Sequence, residues 1–171
     1  LAFALLEQKG NPGWLYSVIN GATTIWERWN SYIAETGTFG DVSMNSFNHY
    51  AYGSIGQWLY RTVLGIQTGE NTDEAGYHKI FLTPSWGGTL TYAKGEQETP
   101  FGKIASSWEK KENSIVYHCT IPANTTAHLS LPASGHNSVQ ILEGAAITDT
   151  AAVSGVADFE LVSGSYTFKI C

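Results

Sequence analysis

Cationic side chains are scarce in this sequence. Nine Lys and Arg stand against fifteen Asp and Glu, for a formal net charge of −6. Phosphate backbones are held by clustered cations. With no basic run and no alternation of Lys or Arg with aromatics, nucleic-acid binding is not expected. Cysteine is equally sparse. Cys119 and Cys171 are too few and too far apart for a metal-ligand or redox spacing, and at most they offer one structural disulfide. No apolar stretch approaches the roughly 20 residues that span a bilayer. Membrane insertion is therefore not expected, and no signal peptide is visible. Charged residues make up only 14% of the chain and apolar ones 43%, the balance of a globular protein rather than a disordered one.

What is abundant is aromatic surface. Six Trp and nine Tyr are present, many of them between residues 14 and 60. The chain opens on Leu1-Ala-Phe-Ala-Leu-Leu-Glu-Gln-Lys9, which reads as a helix already under way, without an N-cap or lead-in. Gly10-Asn-Pro-Gly13 then stops it. The expectation is a piece of a longer chain.

Two textures follow. Up to about Gly65 the spacing is helical: Ser46 is placed as an N-cap, and Phe47, Ala51, Ile55, Trp58, Leu59 and Val63 recur at three- and four-residue intervals on one face. Gly65 is placed as the C-cap. After a turn-rich linker, 67–76, the period changes to two. Strands are expected at 78–83, 89–94, 101–109, 114–121, 126–131, 138–142, 158–161 and 166–170, with turns between them including Pro132–Gly135. The fold class expected is mixed: an all-α piece over residues 1–76, then an antiparallel β-sandwich over 77–171.

Two clusters could carry chemistry. In Gly21-Ala-Thr-Thr-Ile-Trp-Glu-Arg-Trp-Asn30, Glu27 lies between Trp26 and Trp29 with Arg28 adjacent. Aromatic neighbours desolvate a carboxylate and raise its pKa, while a guanidinium works the other way. Together they suit a group that is ionised yet basic enough to take a proton from water. On composition alone, a structural Glu27–Arg28 ion pair on a loop is the better-supported reading. The second cluster, Asp41-Val-Ser-Met-Asn-Ser-Phe-Asn-His-Tyr-Ala-Tyr-Gly53, places Asn45, Asn48 and His49 near a helix N-terminus. Such neutral donors and acceptors fit a polyol. An Asn/Ser-rich cap with a satisfied His is the simpler reading.

Other chemistries find no support. His49, His78, His118, His128 and His136 show no paired ligand spacing, so no metal is expected. No glycine-rich loop leads from a strand into a helix, no Gly-x-Ser-x-Gly elbow occurs, and neither cysteine has an activating partner. No cofactor is expected.

The runs Gly21–Trp29 and Met44-Asn-Ser-Phe-Asn-His-Tyr-Ala-Tyr-Gly-Ser-Ile-Gly-Gln-Trp-Leu-Tyr60, followed by Arg61, resemble glycoside hydrolase family 78, the bacterial and fungal alpha-L-rhamnosidases. Ile121-Pro-Ala-Asn-Thr-Thr-Ala127 is similar, more softly, to that family's C-terminal β-domain. The resemblance implies that residues 1–76 are the last helices and loops of an (α/α)6 catalytic barrel. It implies that Glu27 is the general base and that His49 lies against bound rhamnose. Trp26 and Trp29 become pocket walls, and Asn48 a further substrate contact. The implied partners are rhamnose-containing glycosides or polysaccharides and the remainder of the parent chain, with the general acid supplied from upstream of these motifs.

Two alternatives stand beside this. One is another (α/α)6 carbohydrate enzyme, such as a phosphorylase, which would want cations near the pocket where only Arg28 and Arg61 occur. The other is a carbohydrate-binding β-sandwich module using Trp86, Tyr92 and Trp108, residues whose positions fit core or domain-interface packing better.

Overall fold

A computed structural model of the chain describes residues 1–72, 74–133, 138–144 and 155–171. His136 and the last two residues of the turn read at Pro132–Gly135 lie outside the described residues. Two compact units are present, Leu1–Gln57 with Gly87–Thr89, and Trp58–Trp86 with Leu90–Cys171.

The first unit opens with two short helices, α1 (Ala2–Leu6) and α2 (Trp14–Ile19). The break between them falls at Gly10–Gly13, as its composition predicts. A Cβ on Gly13 would stand 2.6 Å from the Gln8 carbonyl oxygen, so the reversal there excludes a side chain. The buried Tyr16 of α2 donates its hydroxyl to the Tyr32 carbonyl (3.0 Å) and accepts from the Ala34 N–H (3.1 Å). Those bonds tie α2 to a hairpin, β1 (Tyr32–Ile33) and β2 (Thr38–Phe39), within a segment, 14–45, that the sequence reads as a short helical stretch mixed with polar loops.

The helix expected from Ser46 begins later. Helical backbone starts with a 3₁₀ turn at Ala51–Ser54 and continues as α3 (Ile55–Trp58). A helix capped at Ser46 would use the carbonyls of Ser46 and Phe47 in its first turn. Both are already taken, the first by the Glu27 N–H and the second by the Thr24 hydroxyl. Tertiary pairing wins over the local periodicity.

The second unit begins with a π-helical turn, Leu59–Val63, and is otherwise a β-sandwich. Gly65 does follow the helical run, with φ of 74°. A Cβ there would overlap the backbone of Thr83 and Pro84. One sheet holds β3 (Ile66–Thr68), β4 (Lys79–Leu82), β8 (Thr126–Pro132) and β10 (Val156–Leu161), in the order β10-β8-β4-β3. The other holds β5 (Tyr92–Thr99), β6 (Gly102–Lys110), β7 (Ile115–Ile121), β9 (Val139–Glu143) and β11 (Gly164–Ile170), in the order β5-β6-β7-β11-β9.

Alternation puts one face of each strand into the core. In β7, Ile115, Tyr117, Cys119 and Ile121 are buried while His118 faces out. Across the sandwich, the rings of Phe159 (β10) and Phe168 (β11) lie 4.9 Å apart. Burying side chains of this size contributes about 1.5–3 kcal/mol each. The mixed architecture read from the sequence is the observed one, with three refinements. β3 occupies residues read partly as linker. β4 and β8 pair in parallel, whereas the other strand pairs are antiparallel. Both cysteines are free thiols, so the disulfide left open by the sequence is not formed.

Candidate active site

The two motifs singled out in the sequence are stitched together through their backbones. The Glu27 N–H donates to the Ser46 carbonyl and the His49 N–H to the Ile25 carbonyl, each at 2.8 Å. The Thr24 hydroxyl adds a bond to the Phe47 carbonyl. Thirteen or more residues separate these segments in sequence, yet the loops that carry Glu27 and His49 run side by side.

Aromatic packing holds that layer from below. Trp26 is buried and meets Phe47 edge-on at 5.4 Å. Trp29 stacks on Tyr52 with ring centroids 3.8 Å apart and takes the edge of Trp14 at 4.9 Å. The Trp14 indole N–H donates to the Tyr52 carbonyl at 3.0 Å. Each such ring pair adds about 0.5–1.5 kcal/mol beyond its burial. A cavity of about 20 Å³ remains among Trp14, Ile25, Trp26, Trp29 and Tyr52, room for about one water molecule.

A third anchor is Ser31, which is fully buried. Its hydroxyl accepts the Arg28 N–H (3.2 Å), and its carbonyl accepts both the Gly40 N–H (2.9 Å) and the Asn45 side-chain amide (3.0 Å). Gly40 is needed for this approach, because a Cβ would lie 2.6 Å from the Asn30 carbonyl oxygen. The Asn45 Oδ1 is buried and accepts no hydrogen bond among the described residues. Leaving such an acceptor unpaired costs about 1–3 kcal/mol.

Glu27 is half-buried, and among the described residues its carboxylate has no hydrogen-bond or ion-pair partner. The guanidinium expected beside it points elsewhere: Arg28 pairs with Asp41 at 3.8 Å. Hydrogen bonds from Ser43 first, and the Arg28 charge after them, hold the Asp41 carboxyl below its ordinary range. A Glu27–Arg28 ion pair is therefore not what this loop is built around.

His49 is half-buried, stacked on Tyr50 at 5.1 Å, and its Nδ1 accepts the Ala51 N–H at 3.3 Å. A neutral imidazole so engaged carries its proton on Nε2, which becomes a donor for a ligand. Asn48 is exposed, its backbone N–H held by the Ser46 hydroxyl at 3.1 Å. The structure thus brings Glu27, His49 and Asn48 onto one pair of loops, with Trp26 and Trp29 packed beneath. Ser31, Phe47 and Tyr52 hold them there and were not singled out in the sequence. Only the density of aromatic and small polar residues hinted at them. No group of His, Cys, Asp or Glu that could hold a metal is present among the described residues.

The first unit thus sets a carboxylate and an imidazole on crossed loops packed against aromatic rings, and a β-sandwich follows it in sequence. Residues 1–63 match the bacterial alpha-L-rhamnosidase six-hairpin glycosidase domain, and residues 65–146 the bacterial alpha-L-rhamnosidase C-terminal domain. The chain belongs to the bacterial alpha-L-rhamnosidase family. An alpha-L-rhamnosidase of Streptomyces avermitilis is 39% identical over 99% of this chain and 16% of its own length. One of Formosa agariphila is 43% identical over 82% of this chain and 15% of its own. The crystal structure of the Streptomyces avermitilis alpha-L-rhamnosidase complexed with L-rhamnose superposes with a TM-score of 0.85 at 39% identity, covering 99% of this chain and 16% of that one. The chain thus spans about one sixth of the length of the curated relatives it matches.

Proposed function

We propose that this chain contributes the general base and part of the sugar pocket to an enzyme that removes terminal alpha-L-rhamnose by inverting hydrolysis. The observation that carries the reading is the pair of 2.8 Å backbone bonds that joins the loop of Glu27 to the loop of His49. An inverting glycosidase needs two carboxyl groups roughly 6.5–9.5 Å apart, with a water on the face opposite the leaving group. Glu27 takes the proton from that water as it attacks the anomeric carbon. The general acid, supplied by the rest of the longer protein, protonates the departing oxygen. His49 donates from Nε2 to a sugar hydroxyl, Asn48 adds a second polar contact, and Trp26 and Trp29 back the pocket from beneath these loops.

On this reading the general acid lies outside the 171-residue chain, which is expected to release rhamnose about 10²–10⁴-fold more slowly than the full-length enzyme. The test is Glu27→Gln in the full-length enzyme, assayed on an aryl alpha-L-rhamnoside. Activity is expected to fall by about 10²–10⁴-fold, and an unchanged turnover removes Glu27 from the mechanism.

A further inference from the structure

The outer face of the five-stranded sheet carries a groove of about 250 Å³ that the hydrolytic reading does not use. Strand register builds it from two cross-strand rows. Tyr92, Glu109 and Val116 form one, and Lys94, Ser107 and His118 the other. The second row continues on β11 with Thr167 and on β9 with Glu143. Of the three aromatics offered above for saccharide binding, Trp108 is only 1% exposed and Trp86 packs its ring edge-on against it. Tyr92 is different, at 68% exposed.

The polar groups are arranged for a neutral, hydroxylated ligand. The Thr167 hydroxyl lies 2.8 Å from the His118 Nδ1 and 3.3 Å from the Glu143 carboxylate. With the single hydroxyl proton given to Glu143, the His118 Nδ1–H donates to Thr167, and the neutral ring turns Nε2 out as an acceptor. Ser107 offers both a donor and an acceptor, and Lys94 donors only. Lys111 pairs with Glu109 at 2.5 Å, which leaves the groove lining with one further cation, Lys94, where an anion site would cluster several. An exposed ring beside alternating donors and acceptors matches a sugar, which has an apolar C–H face and hydroxyls on its rim.

We infer that this groove, with Tyr92 as stacking platform and His118 and Ser107 as hydroxyl partners, is a second, non-catalytic carbohydrate subsite for a terminal rhamnosyl unit. The choice of rhamnosyl rests on the proposed hydrolytic function; the preference for a neutral saccharide rests on the groove itself. The site would hold a branched substrate near the enzyme between cleavage events.

The test is a ¹H–¹⁵N NMR titration of the 171-residue chain with methyl alpha-L-rhamnoside, and with inorganic phosphate as a control. Shifts are expected at the amides of Lys94, Ser107 and His118. Tyr92→Ala is expected to weaken binding at least tenfold and His118→Ala several-fold, whereas Tyr92→Phe stays within threefold. Tyr92 is exposed, so its variants keep the fold, checked by circular dichroism. Shifts absent from those amides, Tyr92→Ala within twofold of the parent, or phosphate producing the same shifts overturns the subsite. The two readings fail separately. Shifts confined to the Glu27 and His49 loops remove the groove and leave hydrolysis standing. Groove binding alongside an unimpaired Glu27→Gln enzyme does the reverse.

Discussion

The indole nitrogen of Trp108 donates to the carbonyl of Val63 across 2.8 Å, wholly inside the sandwich unit. Beside it the Ser106 hydroxyl donates to the Leu64 carbonyl at 2.6 Å. Carbonyls at a helix end lack intrahelical partners, and here two side chains of β6 supply them. The strand that forms the core thereby also closes the helical turn before it.

Trp108→Phe keeps an aromatic ring and deletes that donor. Stability is expected to fall by about 1–3 kcal/mol, the cost of an orphaned buried carbonyl. Urea unfolding of the 171-residue chain measures it, and a midpoint equal to the parent's would mean that the Val63 carbonyl finds another donor.

Because the His49 Nδ1 is engaged by the Ala51 N–H, the substrate contact proposed for this residue is a donor at Nε2. In the full-length enzyme, His49→Ala is expected to lower kcat/KM on an aryl rhamnoside by about tenfold, the weight of one neutral hydrogen bond. His49→Gln, whose amide nitrogen reaches a similar place, should recover part of the loss. Equal rates for the two variants would remove the donor role.

The two thiols differ in environment. Burial pushes the Cys119 thiol from its ordinary 9.0 up to about 12 and holds the Tyr117 hydroxyl well above its usual range. The unfolded chain thus releases these protons at a pH where the folded chain keeps them. Their contribution to stability is complete below about pH 9 and is lost as the pH climbs toward 12. Alkaline titration of the unfolding midpoint is expected to show this fall, made shallower by Cys119→Ala. With a thiol reagent at pH 8, the native chain should react once, at the half-buried Cys171, and twice after unfolding. Two equivalents from the folded protein would contradict the burial.

The β half was readable because its outward and inward residues alternate without interruption, as in Ile115 to Ile121. Two strand features lacked such a signal. Ile66–Thr68 is too short to display a period, and becomes a strand only because Phe81 and its neighbours on β4 pair with it. The parallel pairing of β4 with β8 joins segments separated by a whole three-strand excursion, and no local residue choice marks it. β5 runs on to Thr99, five residues beyond the expected end, because it lies at an edge where Glu96 and Glu98 are tolerated and guard against strand addition. In the candidate site, Glu27 and His49 stood out through motif resemblance. The late helix start and the Arg28–Asp41 pair did not, since both depend on which distant backbone or side chain arrives first.

Gly65 has a bearing on protein engineering. Its positive φ and its closeness to Thr83 and Pro84 exclude any side chain at the boundary between the two matched family regions, residues 1–63 and 65–146. Chimeras that graft a foreign sandwich onto a rhamnosidase barrel should therefore exchange Gly65 and the Thr83–Pro84 bend as one cassette. A splice placed between them would set a side chain against a bend that leaves room only for glycine.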